Sequence, residues 1–263
     1  MMSCLGRSAM FGSRTSSEAL AAVRESVRTA LFARTITMRN RRPLVSFTFD
    51  DFPASAASNG ARLIEEYGAR ATFYVTGLYC GRVIDGVHQY CAEDLATLVE
   101  AGHEIGCHTF THPRISTLSG AELDKEIELN SAFLARHLPE FKCRTFAYPF
   151  GAFSFAGTMR LQSKFLGCRS SQPGLNIKTA DLGRLRSVRL YDRLIGPQDV
   201  SNIIEQAITS TAWLIFYTHD VTEAPSPYGC APSLLKHALK SAITAGAEIR
   251  PVHAAIEAIC SPC

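Results

Sequence analysis

The chain has 263 residues, of which 46% are hydrophobic and 19% are charged. This length suits one large α/β domain or two small ones, and the composition excludes a disordered or collagen-like chain. No stretch approaches the roughly 18 uninterrupted apolar residues of a membrane span. A formal net charge of +3 is too small to indicate nucleic-acid binding by itself.

Residues 1–42 differ in composition from the rest of the chain. They contain eight Arg and two Glu, with neither Asp nor Lys, so their formal charge is +6. Leu20, Val23, Val27 and Leu31 recur at helical spacing. The segment is predicted to be an N-terminal extension, either a transit peptide or a helix that packs on the domain or frays. It lacks the apolar core of a secretory signal, so we expect a cytoplasmic protein with reduced cysteines.

From residue 43 onward, short apolar runs alternate with helical patterns. Strands are predicted at 44–49, 71–76, 103–107, 144–148, 185–190, 213–218 and 247–250. Helices are predicted at about 59–67, 92–101, 119–138, 155–163, 198–210, 232–245 and 252–260. Repeated strand-then-helix units imply parallel strands joined by right-handed crossovers. The sequence therefore predicts an α/β fold, a distorted or incomplete (β/α) barrel of about seven parallel strands, in a single domain over residues 43–263.

Local signals mark the ends of several predicted helices. Ser119 and Glu122 have the spacing of a capping box. Gly68, Gly102 and Gly246 each stand between a helical pattern and a strand pattern, where glycine accepts the left-handed conformation that ends a helix.

Four predicted strands end in polar residues that are suited to catalysis. In chain order these residues are Asp50, Asp51, His108, His112, Tyr148, His219 and Asp220. The carboxyl ends of parallel strands converge on one face of a barrel, where active sites form. We therefore expect these side chains to share one site.

His108 and His112 are four residues apart, and on one face of a helical turn both could reach one cation. A nearby carboxylate would complete a set of two imidazoles and one carboxylate, which is typical of hydrolytic metal sites. Adjacent Asp50 and Asp51 point in different directions, so one can bind a metal while the other faces its water. Taken singly, the histidines are better explained as solvated or buried side chains, and the aspartates as a cap for the following helix.

His219 has two interpretations of the same kind. It ends a strongly apolar strand, where a buried histidine hydrogen bonded to the backbone is common. A histidine titrates near neutral pH, so the functional interpretation is a general acid that protonates a leaving amine.

These pieces together resemble a known family. Residues 48–51, 102–113, 148–151 and 217–220 are similar, in order and spacing, to the motifs of the polysaccharide deacetylases, the NodB-homology enzymes of carbohydrate esterase family 4. Residues 71–77 also resemble that family, and the resemblance covers about residues 43–255. It implies a distorted (β/α) barrel and a divalent metal, usually zinc and sometimes cobalt or nickel.

The resemblance also implies roles for individual residues. Asp50 corresponds to the general base and His219 to the general acid. The implied metal ligands are Asp51, His108 and His112. A backbone N–H in the segment Tyr148, Pro149, Phe150 is expected to join the metal in holding the oxyanion.

Three departures of the sequence from the family pattern bear on the roles of site residues. The arginine expected before the third motif is missing, because Ala147 occupies its position, which leaves Arg144, Arg184 or Arg186 as the partner of Asp50. The aspartate that often orients the catalytic histidine is unassigned, with Asp181 and Asp192 as candidates. Tyr217 stands where leucine is usual, so a differently shaped acetyl pocket is expected.

The expected function is metal-dependent removal of N-acetyl groups from an amino sugar, oligosaccharide or polysaccharide. Two alternatives remain open at this stage. One is hydrolysis of another C–N bond, such as that of a cyclic imide or ureide, in the same fold. The other is a non-catalytic, sugar-binding relative. Nucleic acid is not expected as a partner, because residues 1–42 lack a recognisable reading motif and interleaved aromatic residues.

Overall fold

The computed structural model describes residues 32–260. Twelve strands lie within this range: β1 (Thr35–Thr37), β2 (Leu44–Asp50), β3 (Thr72–Val75), β4 (Val83–Ile84), β5 (Val87–His88), β6 (Glu104–Cys107), β7 (Thr145–Ala147), β8 (Gly167–Pro173), β9 (Thr179–Asp181), β10 (Leu185–Arg189), β11 (Trp213–Thr218) and β12 (Glu248–Ile249). Seven α-helices accompany them: α1 (Ala61–Glu66), α2 (Ala92–Glu100), α3 (Gly120–His137), α4 (Phe155–Gln162), α5 (Pro197–Thr209), α6 (Pro232–Thr244) and α7 (Val252–Cys260).

Seven parallel strands form a closed barrel, in the order β2, β3, β6, β7, β8, β10 and β11. The ring closes because β11 pairs with β2 over six residues, from Trp213 beside Leu44 to Thr218 beside Phe49. The short β12 also pairs with β2, at its first two residues. The predicted (β/α) barrel of seven parallel strands is therefore confirmed, and it is complete.

One barrel strand escaped prediction. β8, with the sequence Gly-Cys-Arg-Ser-Ser-Gln-Pro, has only one strongly apolar residue, so it shows neither an apolar run nor alternation. The strand predicted at 247–250 exists as β12, outside the ring of seven. Residues 35–37, predicted as part of the extension, form β1, which pairs antiparallel with β9.

All seven predicted helices occur within two or three residues of their expected bounds. The Ser119 hydroxyl accepts from the N–H of Glu122, whose carboxylate accepts from the N–H of Ser119. Gly68, Gly102 and Gly246 have φ of 68°, 86° and 81°, as the helix-ending role requires. The helical pattern at 20–31 lies outside the described residues. None of the helices in the described part of the chain combines the length and apolar character needed to cross a membrane.

The strand β2 shows how the barrel separates its two faces. Val45, Phe47 and Phe49 belong to the large hydrophobic cluster between the barrel and the helices. The alternate residues Ser46 and Thr48 are also buried, but they face the barrel interior and bond to polar partners. Asp50 is the next residue in this inward series, so the alternation carries its carboxylate to the carboxyl end of the barrel.

Gly106 leaves space inside the barrel for the ring of its β3 neighbour. A Cβ at this position would lie 2.4 Å from Tyr74 Cε1, and the register pairs the two residues directly. We expect Gly106→Ala to lower the free energy of unfolding by about 1–3 kcal/mol, as overpacked cores do. Chemical denaturation measures this.

Gly196→Ala is the matched control for that change. Its Cβ would approach no atom closer than 3.9 Å, so we expect a loss below about 1 kcal/mol. Equal losses for the two variants would contradict the packing account of Gly106.

Candidate active site

The predicted site residues converge at the carboxyl end of the barrel. Asp50 ends β2, while His108, Tyr148 and His219 each follow directly after β6, β7 and β11. Together with Asp51 they line a cleft of about 920 Å³. The expectation that four strand ends share one site is met.

Three side chains in this cleft can hold one metal ion. Asp51, His108 and His112 each offer one donor atom, and these atoms lie within 4.8 Å of one another. The Oδ1 atom of Asp51 is 3.6 Å from Nε2 of His112 and 4.0 Å from Nε2 of His108. A carboxylate oxygen and two imidazole nitrogens are the donors that zinc favours in sites with an open position.

Hydrogen bonds and burial orient these donor atoms and keep the two imidazoles neutral, as metal binding requires. The Nδ1 atom of His108 is 2.8 Å from the carbonyl oxygen of Ala147, so it carries the proton and Nε2 keeps its lone pair. Burial lowers the pKa of His108 to about 3 and that of His112 to about 4. The Thr76 hydroxyl donates to Oδ1 of Asp51, at 2.8 Å. The residues present therefore fit a divalent cation.

The backbone around the donors is strained. Asp51, Thr109 and His112 have φ of 56°, 69° and 61°, values that cost energy in residues other than glycine. The spacing of His108 and His112 predicted a helical turn, and this prediction is wrong. Instead, the chain bends after β6 through two left-handed residues, and this bend brings both imidazoles to Asp51.

Asp50 is paired with a residue that the sequence analysis missed. The buried Arg169, at the third position of β8, donates from Nη2 to both carboxylate oxygens of Asp50. Burial by itself raises the pKa of Asp50, but the positive charge of Arg169, aided by His108 and His219, outweighs it and lowers the pKa. Asp50 is therefore held ionised.

The three arginines proposed as this partner lie elsewhere. Arg144 forms a half-exposed ion pair with Glu257, at 2.6 Å. Arg184 pairs with Asp181, and Arg186 donates to the carbonyl oxygen of Pro173. The residues beside Arg169 do not alternate between apolar and polar, so no strand pattern identifies it as the partner of Asp50. The only available signal was its position in a buried polar strand.

His219 is oriented by the backbone. Its Nδ1 is 3.2 Å from the carbonyl oxygen of Tyr228, and its Nε2 is 4.0 Å from Oδ2 of Asp51. The candidate aspartates are engaged elsewhere, since Asp181 bonds to Gly183 and Arg184, and Asp192 accepts from the N–H of Ala231. A carbonyl oxygen thus occupies the position expected for an aspartate.

Only one residue of the predicted oxyanion segment has an available N–H. The N–H of Tyr148 donates to the carbonyl oxygen of Arg169, at 3.1 Å, and Pro149 has no N–H. Phe150 lines the cleft with φ of 56°, and within residues 32–260 its N–H has no hydrogen-bond acceptor. Tyr148 and Pro149 are therefore excluded as donors.

Tyr217 contacts the partner of Asp50 from β11, the strand beside β2. Its ring lies under the Arg169 guanidinium, with 4.7 Å from Cζ to the ring centroid. Its hydroxyl accepts from Nε of Arg189, at 2.9 Å. Replacing the usual leucine with tyrosine therefore links the Asp50–Arg169 pair to the wall of the cleft.

Part of the chain is similar in sequence to a known family and to known proteins. The polysaccharide deacetylase family model matches residues 37–170, half of the chain. A chitooligosaccharide deacetylase from Azorhizobium caulinodans is 29% identical over 111 residues, which are 42% of this chain and 49% of that protein. A bifunctional xylanase/deacetylase from Pseudobutyrivibrio xylanivorans is 28% identical over 92 residues, 35% of this chain and 14% of that protein. The matches thus span less than half the length of these relatives.

Solved structures share the fold. The chitin deacetylase from Colletotrichum lindemuthianum has a TM-score of 0.59 at 16% identity, covering 84% of this chain and 90% of that one. A family 4 acetyl xylan esterase from Clostridium thermocellum, in complex with a cobalt ion, has a TM-score of 0.58 at 19% identity, covering 81% and 89%. A pseudoenzyme of that family from Bacillus anthracis has a TM-score of 0.56 at 17% identity, covering 83% and 66%. The shared fold alone does not establish activity.

Proposed function

Because the chain belongs to the polysaccharide deacetylase family, we propose that it is a metal-dependent hydrolase that removes N-acetyl groups from an amino sugar, oligosaccharide or polysaccharide. One observation carries the proposal. Donor atoms of Asp51, His108 and His112 converge within 4.8 Å, beside an Asp50 carboxylate that Arg169 keeps ionised. A sugar-binding relative without turnover would not need an ionised base next to a metal site.

The metal would be held by Asp51, His108 and His112, with zinc as the leading candidate and cobalt or nickel as alternatives. When bound, such an ion polarises the amide carbonyl and acidifies water.

Asp50 takes the proton of the attacking water. It is ionised and buried, and its pairing with Arg169 fixes its orientation. The N–H of Phe150 donates to the oxygen that becomes negative in the transition state, an interaction whose loss typically costs about 3–4 kcal/mol. His219 then donates a proton from Nε2 to the amine as it leaves, while Nδ1 bonds to the Tyr228 carbonyl.

A panel of N-acetylated glycans tests the proposal. We expect acetate release from at least one of them, lost with a chelator and restored by added Zn²⁺. Ring opening of small cyclic imides, with no acetate from any glycan, would support the alternative substrate class. Sugar binding without turnover in metal-loaded protein would contradict both enzymatic interpretations.

His108→Ala and His112→Ala should abolish retention of the metal, because each variant leaves two of the three protein ligands. Elemental analysis after dialysis measures the zinc content of each. His137→Ala, at the exposed end of α3, is the matched control and should retain the metal content of the unmodified protein. A full zinc content in His108→Ala would remove His108 from the ligand set.

A further inference from the structure

Two arginines line the cleft on the side of His219, outside the machinery described above. They are Arg189, the last residue of β10, and Arg193, in the loop that follows. Both are exposed, and neither forms an ion pair with any carboxylate of residues 32–260. Their guanidinium groups are therefore available to an incoming ligand.

Tyrosine side chains contact both arginines. Arg189 donates from Nε to the hydroxyl of Tyr217, at 2.9 Å. The Cζ atom of Arg193 lies 5.0 Å from the ring centroid of Tyr228. Tyr191 contacts both of these tyrosines, with centroid separations of 5.5 and 6.0 Å. We call Tyr191, Tyr217 and Tyr228 the tyrosine wall.

The tyrosine wall is continuous with the proposed general acid. The ring of Tyr191 is 5.9 Å from that of His219, and the ring of Tyr228 is 5.6 Å from it. The group that His219 protonates is the amine of the sugar. The sugar bonded to that amine must therefore lie beside this wall.

None of the four carboxylates that line the cleft within residues 32–260, the exposed Asp85 included, forms an ion pair with either arginine. Asp50 is paired with Arg169, and Asp51 belongs to the metal-binding set. Asp220 is buried and accepts two hydrogen bonds from Ser226. A divalent ion in the site adds further positive charge, so the loaded cleft favours an anion on the His219 side.

We propose, resting on the proposed function, that the amino sugar carries an anionic substituent, a carboxylate or a phosphate, bound by Arg189 and Arg193 on the tyrosine wall. The planar guanidinium group pairs with either anion through two parallel hydrogen bonds. The stacking of Arg193 on Tyr228 and the hydrogen bond from Arg189 to Tyr217 preorganise the contact and lower the ordering cost of binding. The two arginines are thus specificity-determining residues and do not take part in the bond-breaking step.

Three probes of one chemical series test this inference. They are N-acetylglucosamine, which is neutral, N-acetylmuramic acid, which carries a carboxylate, and N-acetylglucosamine 6-phosphate. We expect kcat/KM for acetate release to be about tenfold or more higher for an anionic probe than for the neutral one. The preferred anionic probe tells whether the substituent is a carboxylate or a phosphate.

Variants of the two arginines test whether they cause the preference for anionic probes. Arg189→Gln and Arg193→Gln should each reduce the ratio of anionic to neutral kcat/KM, chiefly by raising KM for the anionic probe. Arg136→Gln removes the same charge from the exposed surface of α3, away from the cleft, and should keep the ratio. A loss of the ratio in Arg136→Gln would make the effect one of general charge and overturn the inference.

The outcomes with these probes distinguish a preference for anionic substrates from deacetylase activity itself. Acetate release with equal kcat/KM for neutral and anionic probes would overturn the inference and leave the proposed function standing. If no probe releases acetate, calorimetric binding of the three deacetylated sugars to the zinc-loaded protein decides the matter. Tighter binding of an anionic sugar, lost in Arg193→Gln, would support the arginine site, whereas equal or undetectable binding would overturn it.

Discussion

Asp50→Asn will lower kcat by about 10²- to 10⁴-fold, the range that positioned general bases typically contribute. The amide cannot accept the proton of water, yet it keeps the size of the carboxylate and one oxygen that Arg169 can reach. Because Asp50 is not among the three converging donors, the variant should retain its metal. Acetate release and zinc content, measured on the same preparation, test both halves of the prediction.

The control for this change is Asp181→Asn. Asp181 bonds to Gly183 and Arg184, away from the cleft, so its variant should keep the unmodified kcat. Full activity in Asp50→Asn would remove Asp50 from the mechanism. Loss of zinc in that variant would instead show that Asp50 contributes to metal binding.

Arg169→Met will lower the free energy of unfolding by about 3–5 kcal/mol, because it leaves a buried carboxylate without its counter-charge. Arg169 is only 1% exposed and Asp50 only 4%. Without the arginine, burial dominates and raises the pKa of Asp50. The variant therefore loses its base as well as stability, and both denaturation and acetate release should report the loss.

The double variant Asp50→Asn/Arg169→Met tells whether Arg169→Met loses stability through the unpaired charge or through lost packing. It removes both members of the pair, so we expect it to be more stable than Arg169→Met alone, even though it is inactive. Asn leaves no uncompensated charge in the barrel, and this is the physical reason for the recovery. Equal instability of the single and double variants would show that the Arg169 side chain acts mainly by filling space.

The convergence of the polar side chains at the candidate site was predictable because it follows from topology. Parallel strands place their carboxyl ends on one face, so motifs at the ends of β2, β6 and β11 had to meet. Closure of the barrel was harder to predict from the sequence. It depends on the pairing of β11 with β2, a register between distant segments that no local pattern encodes.

Arg169 could not be predicted from local pattern for a different reason. Sequence periodicity detects strands by their apolar face, but β8 presents Arg169 and Ser170 as buried polar side chains. Arg169 is stable inside the barrel because Asp50 lies across from it and tyrosine rings flank its guanidinium group, and Asp50 is 119 residues away in the chain. The same limit applies to His219, whose orientation comes from the Tyr228 carbonyl.

Anomalous diffraction from a crystal grown with Zn²⁺ tests the metal site most directly. We predict one strong peak at the zinc edge in the cleft, about 2.0–2.2 Å from a carboxylate oxygen of Asp51 and from Nε2 of both His108 and His112. A cleft without a peak at saturating zinc, or a peak bonded to other residues, would contradict the account.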